Sequence, residues 1–171
     1  MKKFYFVFFV VLISSISLFA QQPGISLGGN VHFPIGDWAE FASTGYGGSV
    51  TYEHPMSKQV SGVLYSGYTY FDGATEDDYW TLIPLTAGVK AYFTPKLDWY
   101  FAGLIGVNFI TKEFANVVAS GSASSTEFAG NLNIGYEIKT GEKGAVDISA
   151  GYVYISELSY FGVRLAYIFK L

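Results

Sequence analysis

Phe161-Gly-Val-Arg-Leu-Ala-Tyr-Ile-Phe-Lys-Leu171 is the stretch on which the fold turns. Phe161, Val163, Leu165, Tyr167, Phe169 and Leu171 take every second position, and Gly162, Arg164, Ala166, Ile168 and Lys170 stand between them. Strand side chains point alternately to opposite faces, so one face here is wholly apolar and the other carries charge. In a soluble sheet the apolar face would meet a core. In a membrane barrel it meets lipid, and the charged face looks into the lumen.

Composition separates these two cases. Charged residues make up 14% of the chain, against about 25% in an ordinary soluble domain. Aromatics reach 19%, and there are 20 glycines. Beyond the amino-terminal region no apolar run approaches the roughly 18 residues of a helical span. Alternation with abundant Tyr and Phe fits a transmembrane β-barrel. The net charge of −4 argues against nucleic acid as a partner. Cysteine is absent, which excludes disulfides, thiolate metal sites and a lipid-modified cysteine.

Lys2 and Lys3 precede the apolar run Phe4 to Ile13, followed by Ser14 to Ala20. A basic start, a short apolar run and a small residue at the cut predict a signal peptide over 1–20 and a barrel domain over 21–171. The run is about ten residues, too short for a helical span of roughly 20.

Outward from the quoted stretch, the same alternation recurs between turns. Ile25, Leu27, Val31 and Phe33 oppose Ser26, Gly28, Asn30 and His32 in a first strand, and Pro34 to Thr44 reads as a long loop. A second strand covers Gly45 to Glu53, and Pro55 to Lys58 form a tight connection. The third strand, Val60 to Phe71, has a mixed pattern that assigns neither face. Asp72 to Asp78 form an acidic loop. In the fourth strand Ile83, Leu85, Ala87, Val89, Ala91 and Phe93 share one face.

After Thr94 to Asp98, the fifth strand carries Trp99, Phe101, Ile105 and Phe109 outward, and Lys112 to Ser125 read as a polar loop. Phe128, Leu132, Ile134, Tyr136 and Ile138 mark the sixth strand, and Thr140 to Gly144 a hairpin turn. Val146, Ile148, Ala150, Tyr152 and Tyr154 line one face of the seventh, and Ser156 to Ser159 lead into the last. Three short turns alternate with four longer loops. The prediction is an all-β chain forming an eight-stranded antiparallel up-and-down transmembrane barrel.

The chain resembles the small outer-membrane β-barrel family of the OmpX/OmpA-transmembrane type. Thr44-Gly-Tyr-Gly-Gly48, Ile83-Pro-Leu-Thr-Ala-Gly-Val-Lys-Ala-Tyr-Phe93, Phe101-Ala-Gly-Leu-Ile-Gly106 and the last strand carry the likeness. The resemblance implies the bacterial outer membrane as location, with outer-membrane lipid and surface glycolipid as surroundings. It also implies that Phe161, Val163, Leu165, Tyr167, Phe169 and Leu171 form a signal read by the outer-membrane barrel assembly machinery.

The alternation places Glu53, Lys90, Glu137, Asp147, Arg164 and Lys170 inward, a set of three acids and three bases. Ions in a narrow lumen lose water, so pairing into a plug is the expected arrangement. An eight-stranded barrel is just filled by its side chains. A gate that rearranges to conduct is the alternative.

Two histidines are candidates for chemistry. His32 lies inward near the outer end, and His54 beside a short turn at the opposite end. Neither sits in a triad-like spacing, and no Gly-x-Ser-x-Gly elbow occurs. No catalytic residue, metal site or cofactor is expected. Asp72, Glu76, Asp77 and Asp78 do not follow the calcium-loop pattern but offer a loop contact for a divalent cation bridging to glycolipid. Phe33, Tyr46, Tyr79, Trp80, Phe93, Trp99, Tyr160 and Phe169 fit two interfacial girdles. Trp38 and Phe41 offer a loop platform for stacking a sugar. The functional expectation is a non-enzymatic structural or surface-interaction protein with a filled lumen. A narrow, porin-like pore or a conduit for small, including apolar, molecules is second, and a lipid-modifying enzyme third.

Overall fold

A computed structural model describes residues 22–73, 78–116, 119–156 and 158–171. The strands are β1 (Gly24–Ile35), β2 (Ala42–Pro55), β3 (Val60–Gly73), β4 (Asp78–Tyr92), β5 (Trp99–Asn116), β6 (Ala119–Lys139), β7 (Gly144–Ile155) and β8 (Leu158–Lys170). Each pairs antiparallel with the next, and β1 pairs with β8 from Gly24↔Lys170 to Ile35↔Ser159, closing the barrel. Closure leaves no edge strand with unpaired backbone groups, the condition for a sheet to stand in hydrocarbon. The predicted signal segment 1–20 lies outside the described residues.

Both ends of the described chain and the β2–β3, β4–β5 and β6–β7 turns lie at one end of the barrel, called the terminal end here. These turns are short and internally bonded. Ser57 Oγ accepts from the amides of Gln59 and Val60 at 3.2 and 3.0 Å. Thr94 Oγ1 accepts from the Asp98 amide at 3.2 Å, and the Asp98 carboxylate accepts from the Trp99 amide at 2.9 Å. Leu97 takes the left-handed conformation between them, with φ of 55°.

The distal end departs from the expected long loops. Pro34 to Thr44 is not an open loop: β1 runs on to Ile35, a 3-10 helix spans Gly36–Glu40, and β2 begins at Ala42. Gly36, with φ of 63°, makes the entry to that helix. Lys112 to Ser125 is not a loop either, because the β5–β6 ladder continues through Lys112↔Ala123 to Asn116↔Ala119. Backbone pairing is indifferent to the Ser- and Ala-rich side chains that read as loop. Of the acidic segment, Asp72 lies in β3 and Asp78 opens β4, while Glu76 and Asp77 lie outside the described residues.

The outer wall is apolar. Leu132 is 68% exposed and Ile105 64%, in mid-strand positions where a soluble protein would place polar groups. Leu27, Leu64, Leu85 and Leu165 stand in the same belt. A continuous apolar surface around a closed barrel is matched by a bilayer and by no aqueous surrounding. Aromatics flank it: Phe93 stacks on Phe101 at 4.8 Å and Trp99 leans on Tyr136 at 5.0 Å at the terminal end. Tyr70 meets Tyr79 at 5.4 Å at the distal end. Trp80 and Tyr160, expected in the girdles, are instead turned inward, because both sit on the lumen parity of their strands.

β3 now has faces. Leu64, Tyr68 and Tyr70 face out, and Ser61, Val63, Thr69 and Phe71 face in. Both faces carry aromatic and aliphatic residues, which is why its pattern looked mixed. The β4–β5 wall leaves no room for a side chain at two inward glycines: a Cβ on Gly88 would fall 1.9 Å from the Gly103 carbonyl oxygen, and one on Gly106 2.2 Å from that of Leu85.

Candidate functional site: a lumen closed in three storeys

The terminal half of the lumen holds an ionic layer. Lys90, on β4 and 2% exposed, reaches Glu53 on β2 at 2.7 Å, pairs with Glu137 on β6, and stands 3.9 Å from Asp147 on β7. Tyr92 donates to Glu137 at 2.7 Å, and Tyr100 donates to Asp147 at 2.6 Å. The Lys90 ammonium also sits 4.0 Å from the centre of the Tyr100 ring, a cation–π contact.

Arg164 on β8 completes the layer. Its guanidinium donates to Asp147 at 3.0 Å, to Ser26 at 2.6 Å, to Ser49 at 3.0 Å and to Thr51 at 3.2 Å. Six strands, β1, β2, β4, β5, β7 and β8, thus meet at this guanidinium and its carboxylate partner. Val63, Ala102 and Leu104 pack beside Tyr92 and Tyr100. Two cations face three carboxylates, and the tyrosine hydroxyls supply the remaining donors.

Glu53, Lys90, Glu137, Asp147 and Arg164 therefore come together, whereas Lys170 does not. Lys170 lines an open vestibule at the terminal mouth, with Lys139, Glu142 and Lys143. Glu53 is engaged by Lys90, which has no water to fall back on, while Lys170 is half exposed and stays hydrated. Tyr92, Tyr100 and Ser49 are members that alternation alone did not single out. Their inward parity was visible, but their hydroxyl contacts depend on the neighbouring strands.

The distal end is closed by an apolar plug. Trp38, from the 3-10 helix, turns inward and is 2% exposed, packed with Phe71, Leu82, Ile110, Ile155 and Tyr160. Its ring centre lies 4.6 Å from that of Phe71 and 5.7 Å from that of Tyr160. Trp38 and Phe41 do not form a stacking platform: one is the stopper and the other points to solvent. Leu82, Ile110 and Ile155 all occupy inward parity near distal strand ends, a signal the sequence did contain.

Between ionic layer and plug lies a polar middle storey with His32, Thr86, Asn108 and Asn131. The His32 ring leans at a tilt on that of Tyr160, with centres 4.7 Å apart, and its Nδ1 has no hydrogen-bond partner. Among the described residues no nucleophile or carboxylate is hydrogen-bonded to this imidazole. His54 meets the Tyr52 hydroxyl at 3.4 Å at the terminal end. Among the described residues no three His, Asp or Glu side chains converge as metal ligands. At the distal rim Asp78 lies 3.9 Å from Lys112, and Tyr79 donates to Glu113.

No protein-family model and no curated protein sequence matches the chain. Solved structures do match its fold. Ail, the attachment invasion locus protein of Yersinia pestis, superposes with a TM-score of 0.69 at 17% identity, over 88% of this chain and 99% of that one. Another Ail structure contains the heparin analogue sucrose octasulfate. Neisserial surface protein A gives 0.64 at 8% identity over 87% and 97%. OprG from Pseudomonas aeruginosa gives 0.56 at 13% over 88% and 96%. The fold is that of small eight-stranded outer-membrane barrels.

Proposed function

We propose that this chain is a closed, non-enzymatic barrel of the bacterial outer membrane whose work is done at its distal rim, outside the cell. The lumen carries the reading: an ionic layer and an apolar plug in series leave no path for ions, so the rim is the surface left for a partner. The apolar belt and the fold shared with outer-membrane proteins support the location, with segment 1–20 as the export signal and β8 as the assembly signal. His32, without an acid or nucleophile at hand, supplies no catalytic set.

The rim chemistry narrows the partner. Asp37, Glu40, Asp72, Asp78 and Glu113 lie there, with Lys112 the one cation among the described distal residues. A sulfated polyanion of the kind Ail binds would be repelled, most strongly at low salt. A cationic partner, or anionic glycolipid bridged by divalent cations, fits the charge.

The test is single-channel recording of the refolded protein in a planar bilayer, after heat-dependent gel mobility has shown it folded. A silent membrane is expected. Steady, reproducible openings would refute closure and favour a narrow pore, in which case Lys90→Ala and Arg164→Ala should change ion selectivity.

A further inference from the structure

Among the described residues, most of the buried polar atoms that find no partner face one place. His32 Nδ1, Thr86 Oγ1, Asn108 Nδ2, Asn108 Oδ1 and Asn131 Oδ1 make no hydrogen bond, and all four residues line the same central cavity of about 80 Å³. Asn108 is fully buried, Thr86 is 4% exposed and His32 6%. The Tyr160 hydroxyl lies beside Asn108 without meeting hydrogen-bond geometry. Leaving a buried polar atom unpaired costs about 1–3 kcal/mol. Five around one cavity are not tolerated unless something within it bonds to them.

The chemistry of the occupant follows from its walls. Asn108 offers a donor and an acceptor, Asn131 an acceptor, and the Thr86 hydroxyl and His32 nitrogen can serve as either. The cations of the ionic layer, Lys90 and Arg164, reach the cavity's lower wall but are satisfied by Glu53, Glu137 and Asp147. A charged guest would therefore find no free counter-charge. The volume has room for several water molecules, since about 10–15 Å³ of such space holds one, or for one small neutral molecule.

We propose that this cavity is a binding chamber for small uncharged molecules that both donate and accept hydrogen bonds, simple amides in particular, with water filling it otherwise. Entry is from the distal side. Tyr160 belongs to both the chamber wall and the plug, and Trp38 packs over Tyr160 from a five-residue helix that opens at Gly36. The opposite wall is locked by the ionic layer. The chamber's occupancy is independent of what the distal rim meets, since a barrel can hold a guest and still be silent to ions.

Formamide is the probe. The isotope-labelled, folded barrel in lipid nanodiscs is titrated with it while the side-chain amides of Asn108 and Asn131 are followed by NMR. A saturating shift at both is expected. Asn108→Leu and Thr86→Val, each checked for folding by heat-dependent mobility, should weaken binding about tenfold, the effect of one lost hydrogen bond. Shifts that rise linearly without saturation, or an affinity unchanged in both variants, overturn the binding chamber and leave water as its content. Trp38→Ala should speed formamide exchange at unchanged affinity; equal exchange rates in parent and variant overturn distal entry.

Discussion

Replacing Lys90 by Met tests the ionic layer most directly. At an effective dielectric of 20, opposite charges at the 2.7 Å Lys90–Glu53 distance attract by about 6 kcal/mol, and at the 3.9 Å Lys90–Asp147 distance by about 4. Desolvation of each ion offsets several kcal/mol of this, so the intact layer contributes little net stability. Removing only the cation is another matter. Glu53 and Glu137 would then face each other beside Asp147, with Arg164 paired to Asp147 alone.

Water entering from the vestibule reaches Glu53 and tempers the penalty, but a one-sided deletion of a buried pair still costs about 3–5 kcal/mol. Urea titration in lipid bilayers, read by tryptophan fluorescence, should show that loss for Lys90→Met. The triple variant Lys90→Met, Glu53→Gln, Glu137→Gln should recover most of it, because neutral replacement of a whole buried pair is near-neutral in energy. A single variant within about 1 kcal/mol of the parent, or a triple no better than the single, would mean the lumen is hydrated and the layer holds nothing together.

Val89→Arg, in the middle of the β4 belt, should cost about 2–4 kcal/mol in the same assay, and Phe93→Arg at the girdle about 0–1; equal costs would show that the belt is not set across a bilayer. Lys170→Met should change stability by less than about 0.5 kcal/mol, since its ammonium has no carboxylate partner among the described residues; a loss comparable to that of Lys90→Met would place it in the layer after all. Asp98, in the β4–β5 turn, is held below the usual carboxylate range, first by the Thr94 hydroxyl and then by the Trp99 amide. A depressed folded value means its contribution is present above the unfolded pKa, about 4, and is lost as pH falls through the folded value. An NMR titration should show this depression, and Thr94→Val should move the value upward; no movement would assign the effect to the backbone amide.

The barrel itself was legible because its two causes are local. A period of two shows wherever the outside is lipid, and Phe161 to Leu171 or Ile83 to Phe93 display it without reference to any neighbour. The terminal turns were legible too, through Thr94, Asp98 and Gly144. The distal half was not. There the inside is as apolar as the outside, so Val60 to Phe71 lost its alternation, and Trp80 and Tyr160 passed for girdle residues. Past Lys112 the β5–β6 ladder is a backbone pairing, which side-chain pattern does not record.

What alternation could establish was which side of the wall Glu53, Lys90, Glu137, Asp147 and Arg164 face, and that an ion there needs a partner. Which partner was decided by the closed sheet. Stagger between strands sets the height of each side chain in the lumen, and height gathers three carboxylates around Lys90, gives Arg164 to Asp147 and leaves Lys170 at the mouth. The same stagger brings His32, Thr86, Asn108 and Asn131, residues up to a hundred positions apart, around one small cavity. Facing is a property of one strand and can be read along the chain; height is a property of all eight and exists only once the barrel closes.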